Sequence, residues 1–194
     1  MNPGILSNNK DMQVEDSEII EKFARENTRH ESFNLLLKKY QNKIYWHIRR
    51  LVIDHDDTDD LVQDVFIKVW KNLANFRSDS QLFTWIYRIA TNESITFLNR
   101  KKLRNSVSLD DSNGLDLAEK LADSPYFDGD KAQMKLQKAI LTLPEKQRLV
   151  FNMKYFDDLK YEEMSEILGT SVGALKASFH IAVKKIEQIL LNSD

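Results

Sequence analysis

Hydrophobic positions along this chain recur at steps of three and four residues almost throughout, the spacing of helices with one buried face. Residues 1–14 are polar and carry no such period. A helix is predicted to start near Asp16 or Ser17, with Glu18 and Glu21 in the first turns where carboxylates suit the helix dipole. Its apolar side is Ile19, Ile20 and Phe23, and it ends around Asn27. A second helix over roughly 30–53 presents Phe33, Leu36, Leu37, Tyr40, Ile44, Ile48 and Leu51 on one face. Lys38, Lys39, Lys43, Arg49 and Arg50 are placed largely off that face, as a solvated exterior. The acidic run Asp54–Asp60 leads into a third helix, with Asp57 or Thr58 as its cap and Asp59 and Asp60 at the positive end of its dipole. That helix buries Leu61, Val65, Ile67 or the Lys68 stem, Val69 and Leu73 around Phe66 and Trp70. The polar loop 75–80 turns the chain, Ser80 or Asp79 caps the next helix, and that helix runs from Gln81 to about Lys102.

Periodicity then lapses. Residues 105–130 hold two of the five glycines and one of the three prolines, and read as a flexible linker with a short helix around 116–121. Helical spacing resumes with Met134, Leu136, Ile140 and Leu141, and again after Pro144 with Leu149, Val150, Met153 and Phe156. A short helix from Tyr161 stops at Gly169. Thr170 and Ser171 form the turn, Ser171 is the N-cap, and a longer helix follows from Val172 to about Leu191. Short helix, glycine turn and longer helix make a helix-turn-helix, whose second helix enters the DNA major groove. The fold class expected is therefore all-α. It consists of two small helical domains, 1–104 and 131–194, joined by the acidic segment 105–130.

Charge sharpens this division. Residues 29–104 carry fourteen basic against nine acidic side chains, and residues 131–194 ten against eight. Residues 105–130 carry one against seven, and residues 1–28 three against six. Two mildly basic blocks thus flank a strongly acidic one, a pattern the overall net charge of −2 conceals. In residues 81–104, Trp85, Tyr87 and Phe97 are interleaved with Arg88, and the segment ends in Arg100, Lys101, Lys102 and Arg104. Such an element can hold a nucleic-acid backbone and stack on unpaired bases. The helical spacing of Phe83 and Trp85 with Ile86 and Ile89 favours core over stacking.

Other chemistry is poorly supported. Cysteine is absent, which removes disulfides, thiolate metal sites and cysteine nucleophiles and fits a reducing cytoplasm. No apolar run approaches a membrane span, and the N-terminus lacks the pattern of a secretory signal. The Asp54–Asp60 run lacks the glycine and the closing glutamate of a calcium loop. His55 has no histidine in ligand spacing among His30, His47 and His180. No convergent base, nucleophile or phosphate loop supports an enzyme. No catalysis, metal, cofactor or small-molecule substrate is expected.

The segments DLVQDVFIKVW, 60–70, and NFRSDSQLFTWIYRIATN, 75–92, resemble region 2 of bacterial sigma factors of the extracytoplasmic-function type. LPEKQR, 143–148, and the segment 161–185 resemble region 4 of the same family. The resemblance spans about 160 residues with both motif blocks in order. It implies a protein that binds core RNA polymerase and carries it to promoter DNA, where region 2 contacts and helps melt the −10 element and region 4 docks on the −35 element. Asp60, Gln63, Asp64 and Ile67 would meet the polymerase's largest subunit, with Lys71 on the same exposed side. Asn75, Arg77, Ser80, Phe83 and Trp85 fall where the family captures a flipped base. Arg88 and Asn92 would contact the same DNA, and Arg100, Lys101 and Lys102 its phosphates. Strand opening costs a few kcal/mol per step, and aromatic stacking returns roughly 1–3 kcal/mol per base.

On the −35 side the resemblance points to Thr170, Ser171, Val172, Gly173, Lys176, His180 and Lys184, with Ser171 and Lys176 foremost. The chain departs from the family here. Ser178, Ile181 and Val183 stand where arginines are common, which leaves fewer phosphate contacts. The family also implies an anti-sigma factor as a partner, often membrane-anchored. The alternative reading, a stand-alone helix-turn-helix regulator, accounts for 131–194 but leaves the loop 75–81 and the acidic segment without a role.

Overall fold

The computed structural model describes residues 14–105 and 131–192, and every regular element among them is helical. The first group contains α1 (Asp16–Ala24), α2 (Arg29–Val52), α3 (His55–Asn72) and α4 (Leu82–Asn105), with short 3-10 turns at Glu26–Thr28 and Leu73–Asn75. The second contains α5 (Lys131–Leu141), α6 (Glu145–Tyr155), α7 (Tyr161–Leu168) and α8 (Val172–Leu191). The expected linker helix at 116–121 lies outside the described residues.

The faces predicted by periodicity are the faces buried. Ile19 and Phe23 of α1, Leu36, Ile44 and Ile48 of α2, Val65 and Val69 of α3, and Leu82 and Ile86 of α4 meet in one apolar cluster. Each such side chain, taken fully from water, contributes about 1.5–3 kcal/mol. Trp70 closes one end, edge-on to Phe23 at 5.2 Å and to Phe33 at 5.0 Å. Ser32 is also buried, its hydroxyl donating to the Ile19 carbonyl at 2.6 Å and so fixing α1 on α2. Tyr40 donates to Asp16 at 2.6 Å, and Lys39 reaches the same carboxylate at 2.8 Å. Burial, with that hydrogen bond second, holds the Tyr40 phenol well above its ordinary pKa.

Two local expectations are corrected. The cap of α3 is Asp54, not Asp57 or Thr58: its carboxylate accepts from the Asp57 amide at 3.1 Å. The helix starts one turn earlier because Ile53 ends α2 at φ 70°, which aims Asp54 at the orphan amides. A β-branched residue rarely takes that backbone position, and the burial of Ile53 holds it there. Second, Ile67 is not core. It is 49% exposed, among the exposed pairs that alternate with buried pairs along α3. α4 starts at Leu82, within one residue of the expected Gln81, whose carbonyl accepts from the Trp85 amide at 3.0 Å.

In the second group, Ala139, Ile140, Leu143, Phe151, Ala182 and Ile186 form a separate cluster among α5, α6 and α8. Phe151 stacks between Tyr155 at 5.1 Å and Phe179 at 5.8 Å. Pro144 stands at the N-cap of α6. Gly169 ends α7 at φ 62°, the left-handed position that favours glycine.

The two groups are docked on each other. α7 lies against α4, and α6 against α2. Leu149, Val150, Met153, Leu159, Met164 and Ile167 join the core cluster of the first group. Arg50, expected on a solvated exterior, instead pairs with Asp157 and sits 5.1 Å over the Phe156 ring. The offset of Arg50 from the apolar face of α2 is real, but that side of the helix is covered by α6 and the turn after it.

Candidate nucleic-acid and polymerase interfaces

Along α3, Asp60, Gln63, Asp64, Ile67 and Lys71 are all exposed. Their spacing puts them on one side of the helix. Lys68 belongs to the flank, where it pairs with Glu93 of α4 at 2.5 Å. A large aliphatic side chain ringed by polar ones is the anatomy of a protein-binding patch.

The loop after α3 runs past two open clefts rather than one. Asn75, Trp85 and Asn92 line a cleft of about 360 Å³, together with Asn72 and Glu93. Ser80 lines another of about 650 Å³ on the side of α1, together with Phe76, Asp16 and Lys39. The structure therefore brings Asn75, Trp85 and Asn92 together and sets Ser80 apart from them. Arg77 is exposed in the loop itself, next to Ser78 at φ 57°. The roles of Asp16, Lys39, Asn72 and Glu93 as cleft walls had no signal in the sequence, since each depends on how α1 or α3 is laid beside the loop.

The aromatics divide as well. Phe83 turns into the bundle, 4.3 Å from Tyr87 and 6.1 Å from Tyr40, with the Lys43 ammonium 5.7 Å above its ring. Residues 83 and 87 share the face of α4 turned to α2, and Phe83, like Trp85, is half-buried. Trp85 is half-buried against Phe76 at 5.2 Å, with part of its surface on the 360 Å³ cleft. Arg88 and Asn92 lie one turn apart on the exposed side of α4.

The basic end of α4 is less free than its composition implied. Lys101 is bound to Asp57 at 2.6 Å and Lys102 to Glu145 at 2.5 Å, whereas Arg100 is exposed. The first pair fastens α4 to the start of α3, and the second crosses from the first group to the second.

In the second group, the Ser171 hydroxyl accepts from the Ala174 amide at 3.3 Å and caps α8. Thr170 precedes it, its hydroxyl donating to the Leu168 carbonyl at 3.3 Å. Val172 is half-buried, and Gly173, Lys176, His180 and Lys184 follow at helical spacing on the exposed side. A side chain at Gly173 would meet open space, so this face is unobstructed. Lys176 lies 5.6 Å over the Tyr161 ring, which orients it at the start of α8. Lys185 is turned away, donating to Gln147 at 3.0 Å. Replacing Ser171 with alanine is expected to cost about 1 kcal/mol. A urea titration would show this as a lower midpoint with unchanged slope.

Among the described residues no group of three or more histidines, aspartates or glutamates is placed to hold a metal ion. No described helix is long and apolar enough to cross a membrane.

Fold and faces together define an all-helical, two-part DNA-binding protein with a helix-turn-helix at its C-terminal end. Comparison with known proteins narrows this. Residues 36–104 match the family model Sigma-70 region 2, and residues 133–186 match Sigma-70, region 4. The RNA polymerase sigma-H factor of Pseudomonas aeruginosa is 32% identical, covering 92% of this chain and 95% of that protein. The ECF RNA polymerase sigma-E factor of Haemophilus influenzae is 28% identical, with 90% and 95% covered. That of Escherichia coli K12 is 29% identical, with 90% and 94% covered. In structure, the sigma factor RpoE of Bartonella quintana, solved with the anti-sigma factor NepR, superposes with a TM-score of 0.69 at 23% identity, covering 82% of this chain and 97% of that one. CnrH, solved with the cytosolic domain of CnrY, gives 0.63 at 23%, covering 91% and 96%. The chain belongs to the RNA polymerase sigma factors of the extracytoplasmic-function type.

Proposed function

We propose that this sigma factor engages core RNA polymerase through the exposed stripe of α3, reads the −10 element at the loop 75–81, and reads the −35 element through the start of α8. The observation that carries the reading is the joint presence of an unobstructed recognition face on α8 and a loop with open clefts on both sides. A stand-alone helix-turn-helix regulator needs the first and has no use for the second.

Each part has a physical task. Ile67 supplies apolar contact, and Asp60, Gln63, Asp64 and Lys71 supply its polar surround. Asn75 and Asn92 offer amide groups that can pair with base edges in the cleft walled by Trp85, and Ser80 and Arg77 act on the other side of the loop. Arg88 and Arg100 hold the backbone. On α8, Ser171 and Lys176 lead, with Thr170, Val172 and Gly173 allowing close approach and His180 and Lys184 along the helix. The chain works where polymerase and DNA are, in the cytoplasm, as a subunit without catalysis of its own. An anti-sigma protein, of the kind seen with the two structural neighbours, is the regulator this reading anticipates.

Run-off transcription with purified core polymerase tests the reading directly. Promoter-dependent transcripts are expected only when this chain is added. Their absence, together with tight specific binding of duplex DNA by the free chain, would favour the regulator. In the same assay Lys176→Ala is expected to lower output several-fold from a promoter that depends on its −35 element. Equal output from promoters with and without that element would remove Lys176 from the interface.

A further inference from the structure

We propose that the crevice where α2, α4 and α6 meet is a binding site for a small amphiphilic carboxylate, with the acid group on Arg148 and the apolar body against Leu51, Ile95, Leu98 and Leu149. The site is separate from the DNA and polymerase faces described above and goes beyond the function proposed for them.

The crevice has a volume of about 220 Å³. Three helices supply its aliphatic walls: Leu51 comes from α2, Ile95 and Leu98 lie one turn apart on α4, and Leu149 comes from α6. Leu51 and Leu149 are buried, whereas Ile95 is 39% exposed, so aliphatic surface on this side of α4 is left uncovered by protein. An apolar void of about 150 Å³ holds benzene, and this one therefore takes a body about half as large again. Asn99 and Lys146 also line it, both exposed.

Charge distinguishes this crevice from an ordinary packing gap. Arg148 lines it and is only 8% exposed, yet among the described residues no acceptor is hydrogen-bonded to its guanidinium. Burial holds the group below the usual arginine pKa, and the Glu145 carboxylate opposes that only in part. It remains a cation at neutral pH. It also stands near the start of α6, where the helix dipole disfavours positive charge. A buried cation without an acceptor is costly to hold, and an anion in the crevice would relieve the burial, the missing acceptor and the dipole together. Glu145 is the acid lining the crevice among the described residues, and Lys102 already holds it at 2.5 Å. With Lys146 beside them, the rim keeps a surplus of positive charge.

These features select the ligand. A carboxylate accepts two parallel N–H donors from one arginine. Inorganic phosphate offers such a head group but no body for the aliphatic walls. A neutral alcohol offers the body but no charge for Arg148. A monocarboxylate with a short alkyl or aryl body satisfies both. Octanoate is a suitable probe: it has about ten non-hydrogen atoms, for which a Kd of about 0.1–1 mM is expected.

Calorimetric titration of octanoate into the full chain, with methyl NMR on the same complex, tests the site. One-to-one binding is expected, with the largest methyl shifts at Leu51, Ile95, Leu98 and Leu149. Arg148→Met keeps an apolar stem and removes the charge. It is expected to raise the octanoate Kd by about tenfold or more without weakening the binding of 1-octanol, which lacks the charge. Leu98→Trp fills the space from the half-buried wall of α4 and is expected to abolish binding of both compounds. Helical circular dichroism confirms that each variant folds, and the methyl shifts in the parent locate the ligand independently of any variant. Absence of binding at millimolar octanoate would overturn the proposal, as would shifts centred elsewhere. An octanoate affinity unchanged in folded Arg148→Met would remove the arginine from the site and with it the inference. Acetate or inorganic phosphate binding as tightly as octanoate would reveal an adventitious anion only, and would likewise overturn it.

Discussion

Ile67→Asp is expected to weaken binding of core polymerase by thirtyfold or more while leaving the fold intact. Ile67 is the large aliphatic side chain at the middle of the α3 stripe and is half exposed in the free protein. Aliphatic anchors at the centre of a protein interface, ringed by polar groups that exclude water, are where truncation costs about 2 kcal/mol or more. An aspartate at this position does worse than truncate. It must be desolvated on binding, and it adds a third carboxylate beside Asp60 and Asp64. The fold is spared because the side chain contributes little to the bundle core, which is made on this helix by Leu61, Val65, Phe66 and Val69. Titration calorimetry or a pull-down against core polymerase, with circular dichroism as control, reads the effect. Gln63→Ala with Asp64→Ala, at the polar surround, is expected to cost less. Unchanged affinity in Ile67→Asp would move the polymerase contact off α3.

The largest effect on stability is expected at Ile48, where alanine should cost about 2–5 kcal/mol. Ile48 is fully buried on α2, the helix against which α1, α3, α4 and α6 are all packed. The cavity it would leave is walled by several helices that are also held by other contacts, so the site collapses poorly. For a chain of this size the loss corresponds to a fall in Tm of about 10 °C, readable by differential scanning calorimetry. Ile48→Val removes one methylene and is expected to cost only about 0.5–1.5 kcal/mol. A variant Ile48→Ala with unchanged Tm would mean that the docked core does not set global stability.

What the sequence revealed and what it withheld follow from the reach of each signal. Helices came through because burial of one face repeats within a single segment, and the turn at Gly169 and Ser171 because its chemistry is local. The cap of α3 was misplaced by three residues because several aspartates in a row offer equivalent oxygens, and only the backbone turn at Ile53 selects Asp54. Phe83 and Trp85, two residues apart, could not be apportioned between core and surface without knowing which side of α4 meets α2. Arg50 and His47 were read as ordinary members of a helix exterior and a histidine count. Their partner, Asp157, lies far along the chain in a turn that has no motif of its own. Pattern reading assigns a side chain to a face. It does not say what that face will meet.

The Lys102–Glu145 pair bears on how DNA affinity will respond to salt. In the docked form the Lys102 ammonium is already neutralised by a carboxylate of the same chain. If it later serves a phosphate, the DNA still gives up a condensed cation there, but the freed Glu145 carboxylate gathers a cation from solution in its place. The number of ions taken up or released on promoter binding would then fall short of the number of cations at the DNA surface, and the shortfall would disappear in a Glu145→Gln background.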